Sequence, residues 1–306
     1  MRGHVRTVLG DVPGDELGPT YCHEHLLTSP APRFGEDLVL DDEERAADEL
    51  RRFRDAGGRA MVDATTPEFG RDAAGLRRLS ERTGVRVVAT TGHVSEEYWR
   101  DVVDLDARSE SELVDEYVAE LTDGIAGAGS SAGVVKAGTS AGGATATERK
   151  LLRAAAAAQR ETGAPITTHT TGGTAAAEQA DVLEAAGADL THVCIGHLDR
   201  RLDWDVHLEL ARRGAFLGYD SVSKEQYQPD DGRARFVVAL VDAGHGGQVC
   251  LSGDLARRTY LEAWGGGPGY RYILERFLPR LRESGLADED VERLVVENPA
   301  RFLSWR

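Results

Sequence analysis

Two imidazoles one residue apart, His23 and His25, close an apolar run near the start of the chain. If Gly18 to His25 forms a strand, period-two alternation puts both on one face and Glu24 on the other. Two nitrogen ligands then converge on one point, which is half of a zinc-type site. Four more ionisable residues stand where other apolar runs end: Lys136, His169, His197 and Asp254. Lys136 is the unusual member, because Ala132–Gly138 otherwise reads as the inside of a core. A buried amine loses its charge more readily, and a neutral amine reacts with carbon dioxide to give a carbamate. That product is a carboxylate able to bridge two cations, which arginine cannot supply. Only Lys136, Lys150 and Lys224 among the 36 basic residues are lysines, so each invites the question of what a primary amine does there.

The elements that must position these groups repeat as strand then helix. Strand-like runs occur at Gly18 to His25, Arg59 to Ala64, Val85 to Thr91, Gly133 to Gly138, Pro165 to Thr170, Leu190 to Gly196, Ala215 to Tyr219 and Gln248 to Gly253. Amphipathic stretches separate them, among them Glu110 to Ala126 and Thr147 to Arg160. Capping-box spacing marks two helix starts, at Asp41 with Glu44 and at Thr145 with Glu148. Eight such units in one chain of 306 residues predict a (β/α)8 TIM barrel, spanning 1–306 as a single domain. A short N-terminal hairpin precedes it, and extra C-terminal helices follow, the last starting with Asn298 as N-cap and Pro299 at the first helical position. Barrel enzymes build their sites at the C-terminal strand ends, where His23, His25, Lys136, His169, His197 and Asp254 all fall.

Taken together, Gly18–His25, Val135-Lys136, Thr168-His169-Thr170, Ile195–Arg200, Leu251–Asp254 and Glu297-Asn298-Pro299 resemble the phosphotriesterase family of the amidohydrolase superfamily over nearly the whole chain. The resemblance implies a binuclear, metal-dependent hydrolase. His23, His25 and Asp254 would hold the more buried ion, and His169 and His197 the more exposed one. Carboxylated Lys136 and a hydroxide would bridge the two. Zinc is the first expectation for the metal, with manganese, cobalt or iron as the other candidates. Asp254 is expected to move the proton as well as bind metal.

The loops after the seventh and eighth strands carry Lys224 and Arg257, a point charge and a planar fork suited to a phosphate or carboxylate. The plainer alternative is loop ion pairs to Asp220 and Glu225. These loops resemble those of family members that open lactones, including phosphorylated sugar lactones. Arg200 adds a third positive group, and His93 or Tyr98 would contact the ring oxygen or leaving group. The expected function is therefore a lactonase for a small anionic substrate. A phosphotriesterase or carboxylesterase, a small-molecule amidase, and a non-catalytic ligand-binding barrel are the alternatives. A net charge of −16 argues against nucleic acid as a partner. No apolar run is long enough to span a bilayer, and Met1-Arg2-Gly3-His4 has no apolar signal core, so a cytoplasmic protein is expected. Barrels of this kind often pair, so a homodimer is anticipated. The three cysteines, Cys22, Cys194 and Cys250, lie inside strand-like runs and read as buried free thiols.

Overall fold

A computed structural model describes residues 3–305. A two-stranded antiparallel hairpin, β1 (His4–Thr7) and β2 (Gly10–Pro13), leads into eight parallel strands. These are β3 (Thr20–Glu24), β4 (Ala60–Asp63), β5 (Arg86–Gly92), β6 (Val134–Thr139), β7 (Ile166–Thr170), β8 (Val193–Ile195), β9 (Phe216–Tyr219) and β10 (Val249–Leu251). Each pairs with the next in order, and intervening helices cover the outside, giving a nearly closed TIM barrel.

The helices are α1 (Glu43–Asp55), α2 (Ala73–Thr83), the short α3 (Glu96–Trp99), α4 (Glu110–Thr122), α5 (Ala146–Thr162), α6 (Ala176–Ala185), α7 (Trp204–Arg212) and α8 (Asp230–Asp242). Three more, α9 (Leu278–Glu283), α10 (Asp288–Glu292) and α11 (Asn298–Leu303), close the chain. Among the described residues no helix is long and apolar enough to cross a membrane. Thr145 and Glu148 form the predicted capping box at α5. At α1 the cap is Asp42, not Asp41: its carboxylate accepts from Glu44 N and Arg45 N, while Asp41 is taken up by Arg258. Asn298 is not an N-cap either. It continues a helical turn from Arg293–Glu297, and its buried amide donates to the carbonyls of Gly246 and Val249.

The barrel interior below the strand ends is apolar. Val62, Val134, Cys194 and Cys250 come from alternate barrel strands, and Cys22, Val88 and Phe216 from the others, so all three thiols are buried and free as expected. Cys22 and His23 are neighbours, yet both face inward. Plain alternation fails there because the β3–β4 register shifts between Tyr21 and Glu24.

The seam between β10 and β3 is stitched chiefly by side chains. Ser252 Oγ accepts from His23 N at 3.1 Å, and Glu24 accepts from Gly253 N at 2.6 Å and Leu255 N at 2.8 Å. One backbone bond, Asp254 N to His23 O at 3.2 Å, joins them. Glu24, the middle residue of the His-x-His pair, is thus a buried latch between the first and last barrel strands. Burial pushes its carboxyl up to about 7, although the Leu255, Gly253 and Ser252 hydrogen bonds oppose this.

Candidate metal centre

All six strand-end groups converge at the C-terminal mouth. His23 Nε2 lies 3.0 Å from Lys136 Nζ and 3.8 Å from Asp254 Oδ1. His25 Nε2 is 3.2 Å from the same Asp254 oxygen. His169 Nδ1 and His197 Nε2 face each other at 2.8 Å. Ligand atoms of His23, His197 and Asp254 all lie within 4.8 Å of one another. Such mixed imidazole and carboxylate donors suit zinc and its first-row neighbours.

Which nitrogen each ring presents is set from behind. Asp220, directly after β9, accepts at 2.6 Å from His197 Nδ1 and lies 3.2 Å from His23 Nδ1, leaving both Nε2 atoms for the centre. His25 Nδ1 is 2.8 Å from Thr65 Oγ1, and buried Asp63 fixes that turn by accepting from Leu26 N and Thr65 N. His169 turns its Nε2 toward Thr171 Oγ1 at 3.2 Å and so presents Nδ1.

Burial sets the protonation states. It pushes His23 down to about 3 and His197 to about 4, with Lys136 and Arg200 respectively adding repulsion. His169 falls well below the usual imidazole range for the same reason. Neutral imidazoles are what a cation needs. Burial also lowers the Lys136 amine to about 8, against the pull of Asp220 and Asp254, so a useful fraction is neutral near physiological pH. Asp254 goes the other way: burial raises its carboxyl, but Lys224, with the His25 hydrogen bond and Arg200, outweighs this and keeps it ionised. Donor chemistry, neutral rings and a reactive buried amine thus fit a divalent metal.

Two of these residues are held in strained backbone. His197 has φ 58° and Asp254 φ 49°, a region that side chains other than glycine seldom occupy. Gly196 permits the first, since a Cβ there would meet Thr168 O at 2.2 Å.

Above the centre is a pocket of about 120 Å³. One wall is apolar: Phe69 and Tyr98 meet edge to face at 5.5 Å, and Phe34 stacks on Tyr98 at 5.2 Å. The opposite wall is cationic. Lys224 Nζ and Arg200 Nη2 each donate to Asp254 Oδ2 at 2.6 Å, and Lys224 also bonds the Asp254 carbonyl. Lys224 is therefore not paired with Asp220 or Glu225. Arg257 lines the same mouth but is half-exposed and reaches Asp37 at 3.4 Å. Tyr227, 4.6 Å under Arg200, and Tyr260, 5.3 Å from Lys224 Nζ, complete this wall.

His93 is not a pocket residue, which corrects the expectation for the loop after β5. Its ring is buried away from the pocket, with Nδ1 donating to Glu68 at 3.0 Å and Nε2 3.5 Å from Glu116, itself bonded to Arg108. Gly92, at φ 90° against Lys136 O, makes the turn that sends it there. Burial opposes its charge, but the bonds from Glu116 and Glu68 prevail and raise it to about 9. A raised value means that the imidazolium stabilises the fold fully below about pH 6.5, its ordinary value, and that this is lost as pH climbs through about 9. His93→Gln should thus cost about 3 kcal/mol near neutrality by stranding buried Glu68. Urea unfolding across that pH range should show the gap from wild type shrinking toward the alkaline end; a gap independent of pH would refute the charged clamp.

Asp220, Glu24, Tyr227 and Tyr260 were not singled out from the sequence as site residues. Asp220 had a signal, a carboxylate directly at a barrel strand end; the two tyrosines had none beyond lying in the right loops.

The family model for the phosphotriesterase family matches residues 3–303. A phospho-furanose lactonase of Mycoplasmopsis synoviae is 31% identical over 98% of this chain and 92% of its own. An N-acetyltaurine hydrolase of Danio rerio is 30% identical over 100% and 99%. Among solved structures, the lactonase Lmo2620 from Listeria monocytogenes superposes with a TM-score of 0.94 at 34% identity, covering 99% of each chain.

Proposed function

The chain belongs to the phosphotriesterase family of hydrolases, and we propose that it is a binuclear-metal lactonase opening small sugar lactones that carry a phosphate. What supports this most is the placement of Lys224 and Arg200 on one oxygen of Asp254. Two cations beside a candidate metal ligand put a substrate anion within a few bonds of the carbonyl to be cleaved. Lactonase relatives across the whole chain point the same way.

His23, His25 and Asp254 would hold one divalent ion and His169 and His197 the other, with carbamylated Lys136 between them; zinc is the proposed metal. Bound there, the ions supply Lewis-acid polarisation and a water acidic enough to react near neutrality. The chain does the rest. Arg200, Lys224 and half-exposed Arg257 bind and orient the anion, with the Tyr260 hydroxyl beside them. Tyr98, Phe69 and Val94 cover the ring and exclude water. As water adds to the lactone carbonyl, a carboxylate oxygen of Asp254 takes its proton. The ring C–O bond then breaks, and Asp254 returns the proton to the departing alkoxide, giving a hydroxy acid.

One other reading has a specific finding behind it. N-acetyltaurine hydrolases are as similar to this chain as the lactonase relative, and an N-acyl sulfonate also places an anion a few bonds from an acyl carbon. A panel of phosphorylated aldonolactones, neutral lactones and N-acetyltaurine separates the two, because the lactonase reading requires selective turnover of the phosphorylated lactones. Lys224→Ala tests the anion subsite. Its Michaelis constant for a phosphorylated lactone should rise at least about tenfold, the order expected for losing a charge-assisted hydrogen bond, and far more than for a neutral lactone. Equal effects on both would remove the subsite.

A further inference from the structure

Outside the metal centre the most completely buried cation is Arg233 on α8, whose side chain has no solvent exposure. Its Nε donates to Asp199 Oδ2 at 2.7 Å. Nη1 donates to Gln228 O at 2.6 Å and Asp230 Oδ1 at 2.7 Å, and Nη2 to Lys224 O at 3.1 Å. Apart from Asp230, the first residue of α8 itself, these partners belong to the two loops that carry the pocket's cationic wall. Asp199 immediately precedes Arg200 in the loop after β8. Lys224 and Gln228 flank Tyr227, the ring under Arg200, in the loop after β9.

The partners are tied onward to the same loops. Asp199 Oδ2 also accepts from Ser221 N at 3.0 Å, and Asp230 Oδ1 from Ser223 N at 3.1 Å. Asp230 Oδ2 accepts from the Tyr272 hydroxyl at 2.9 Å. A fully buried guanidinium is an expensive way to fill space, since an apolar side chain of similar volume packs as well without desolvation. What it offers is a rigid fork of five donors, able to tie three chain segments at once; a lysine cannot do this.

We propose that Arg233 is a positioning residue that fixes Arg200 and Lys224 relative to one another and so sets selectivity for an anionic substrate without touching it. The selectivity half of this rests on the anionic-substrate reading above; the loop-fixing half does not. A misplacement of a binding group by about 1 Å is enough for large losses, which gives this linkage leverage.

Arg233→Lys and Arg233→Met, compared with wild type at equal metal content, give two independent readouts. In steady-state kinetics, the Michaelis constant for a phosphorylated lactone should rise on the order of tenfold. kcat/KM for a neutral lactone should stay within about twofold. In hydrogen–deuterium exchange, segments 198–201 and 221–229 should both exchange faster while the barrel strands do not. Equal losses on both lactones, or faster exchange confined to α8, would overturn the proposal. If wild type itself shows no preference for the phosphorylated lactone, the substrate reading fails by itself, and the exchange result alone decides whether Arg233 fixes the loops. Should both variants fail to fold, Asp199→Asn removes one arm: faster exchange at 198–201 supports the linkage, and unchanged exchange overturns it.

Discussion

Lys136→Ala should abolish hydrolysis, with kcat/KM down at least about a thousandfold, and should lower bound metal from about two ions per chain to one or none. The amine is 1% exposed and 3.0 Å from His23 Nε2, at the middle of the converging donors. Burial holds it at about 8, so roughly a tenth is neutral at neutral pH, enough to react with carbon dioxide in an equilibrium that metal binding to the product would pull toward the carbamate. The nitrogen lone pair adds to the carbon of CO2 and the amine loses a proton, leaving a carboxylate at the end of the side chain. A small carboxylate added to the alanine variant should restore part of both metal content and rate. Lys136→Arg should not be rescued, because guanidinium forms no carbamate. Metal analysis with turnover at each step checks this, and an alanine variant that keeps two ions and full activity would eliminate the bridging role.

The second large effect is at Asp254. Asp254→Asn should lower kcat by about 10²- to 10⁴-fold, the span of a lost general acid–base group. Asparagine is isosteric and tolerates the positive φ of 49° found there, so the backbone should not move. Because buried Lys224 and Arg200 both pair with this carboxylate, the loss of rate is assigned to proton transfer only in variant protein that keeps its metal and its fold, checked by metal analysis and thermal unfolding. The wild-type carboxyl is kept ionised chiefly by Lys224, with Arg200, against its burial, so the proton-free form is the one present over the neutral range. An asparagine variant of near wild-type rate would assign the proton transfer elsewhere.

How much of this was legible beforehand depends on whether the signal was local. Strand-end position is local: the period of the apolar runs placed His23, His25, Lys136, His169, His197 and Asp254 at one mouth, and the structure brings them together. The barrel followed from the same repeat. Direction beyond a strand end is not local. His93 stands one residue past β5, yet Gly92 turns it behind the pocket into Glu68 and Glu116, partners far away in sequence. Capping erred where two acidic residues compete, because Arg258 occupies Asp41 and leaves Asp42 to cap α1. The β3 bulge leaves no mark in the apolar pattern either, since alternation cannot register an inserted residue. Arg233 looked like any helix arginine, because nothing in its own neighbourhood shows that two distant loops will close over it.

The latch of Glu24 and Ser252 also bears on the order in which the protein comes into being. Glu24 and Ser252 are 228 residues apart, and His25 and Asp254 are 229 apart. A ribosome adding about 5–20 residues per second needs about ten to fifty seconds to cross that interval. For that time the nascent chain carries the first two histidines without the aspartate, and the seam without its second edge. Joining of the seam and completion of the donor set are then one event, possible only once residues 252–255 have been made. A chain stalled before β10 has only part of the donor set, so metal binding would report on chains whose seam has joined.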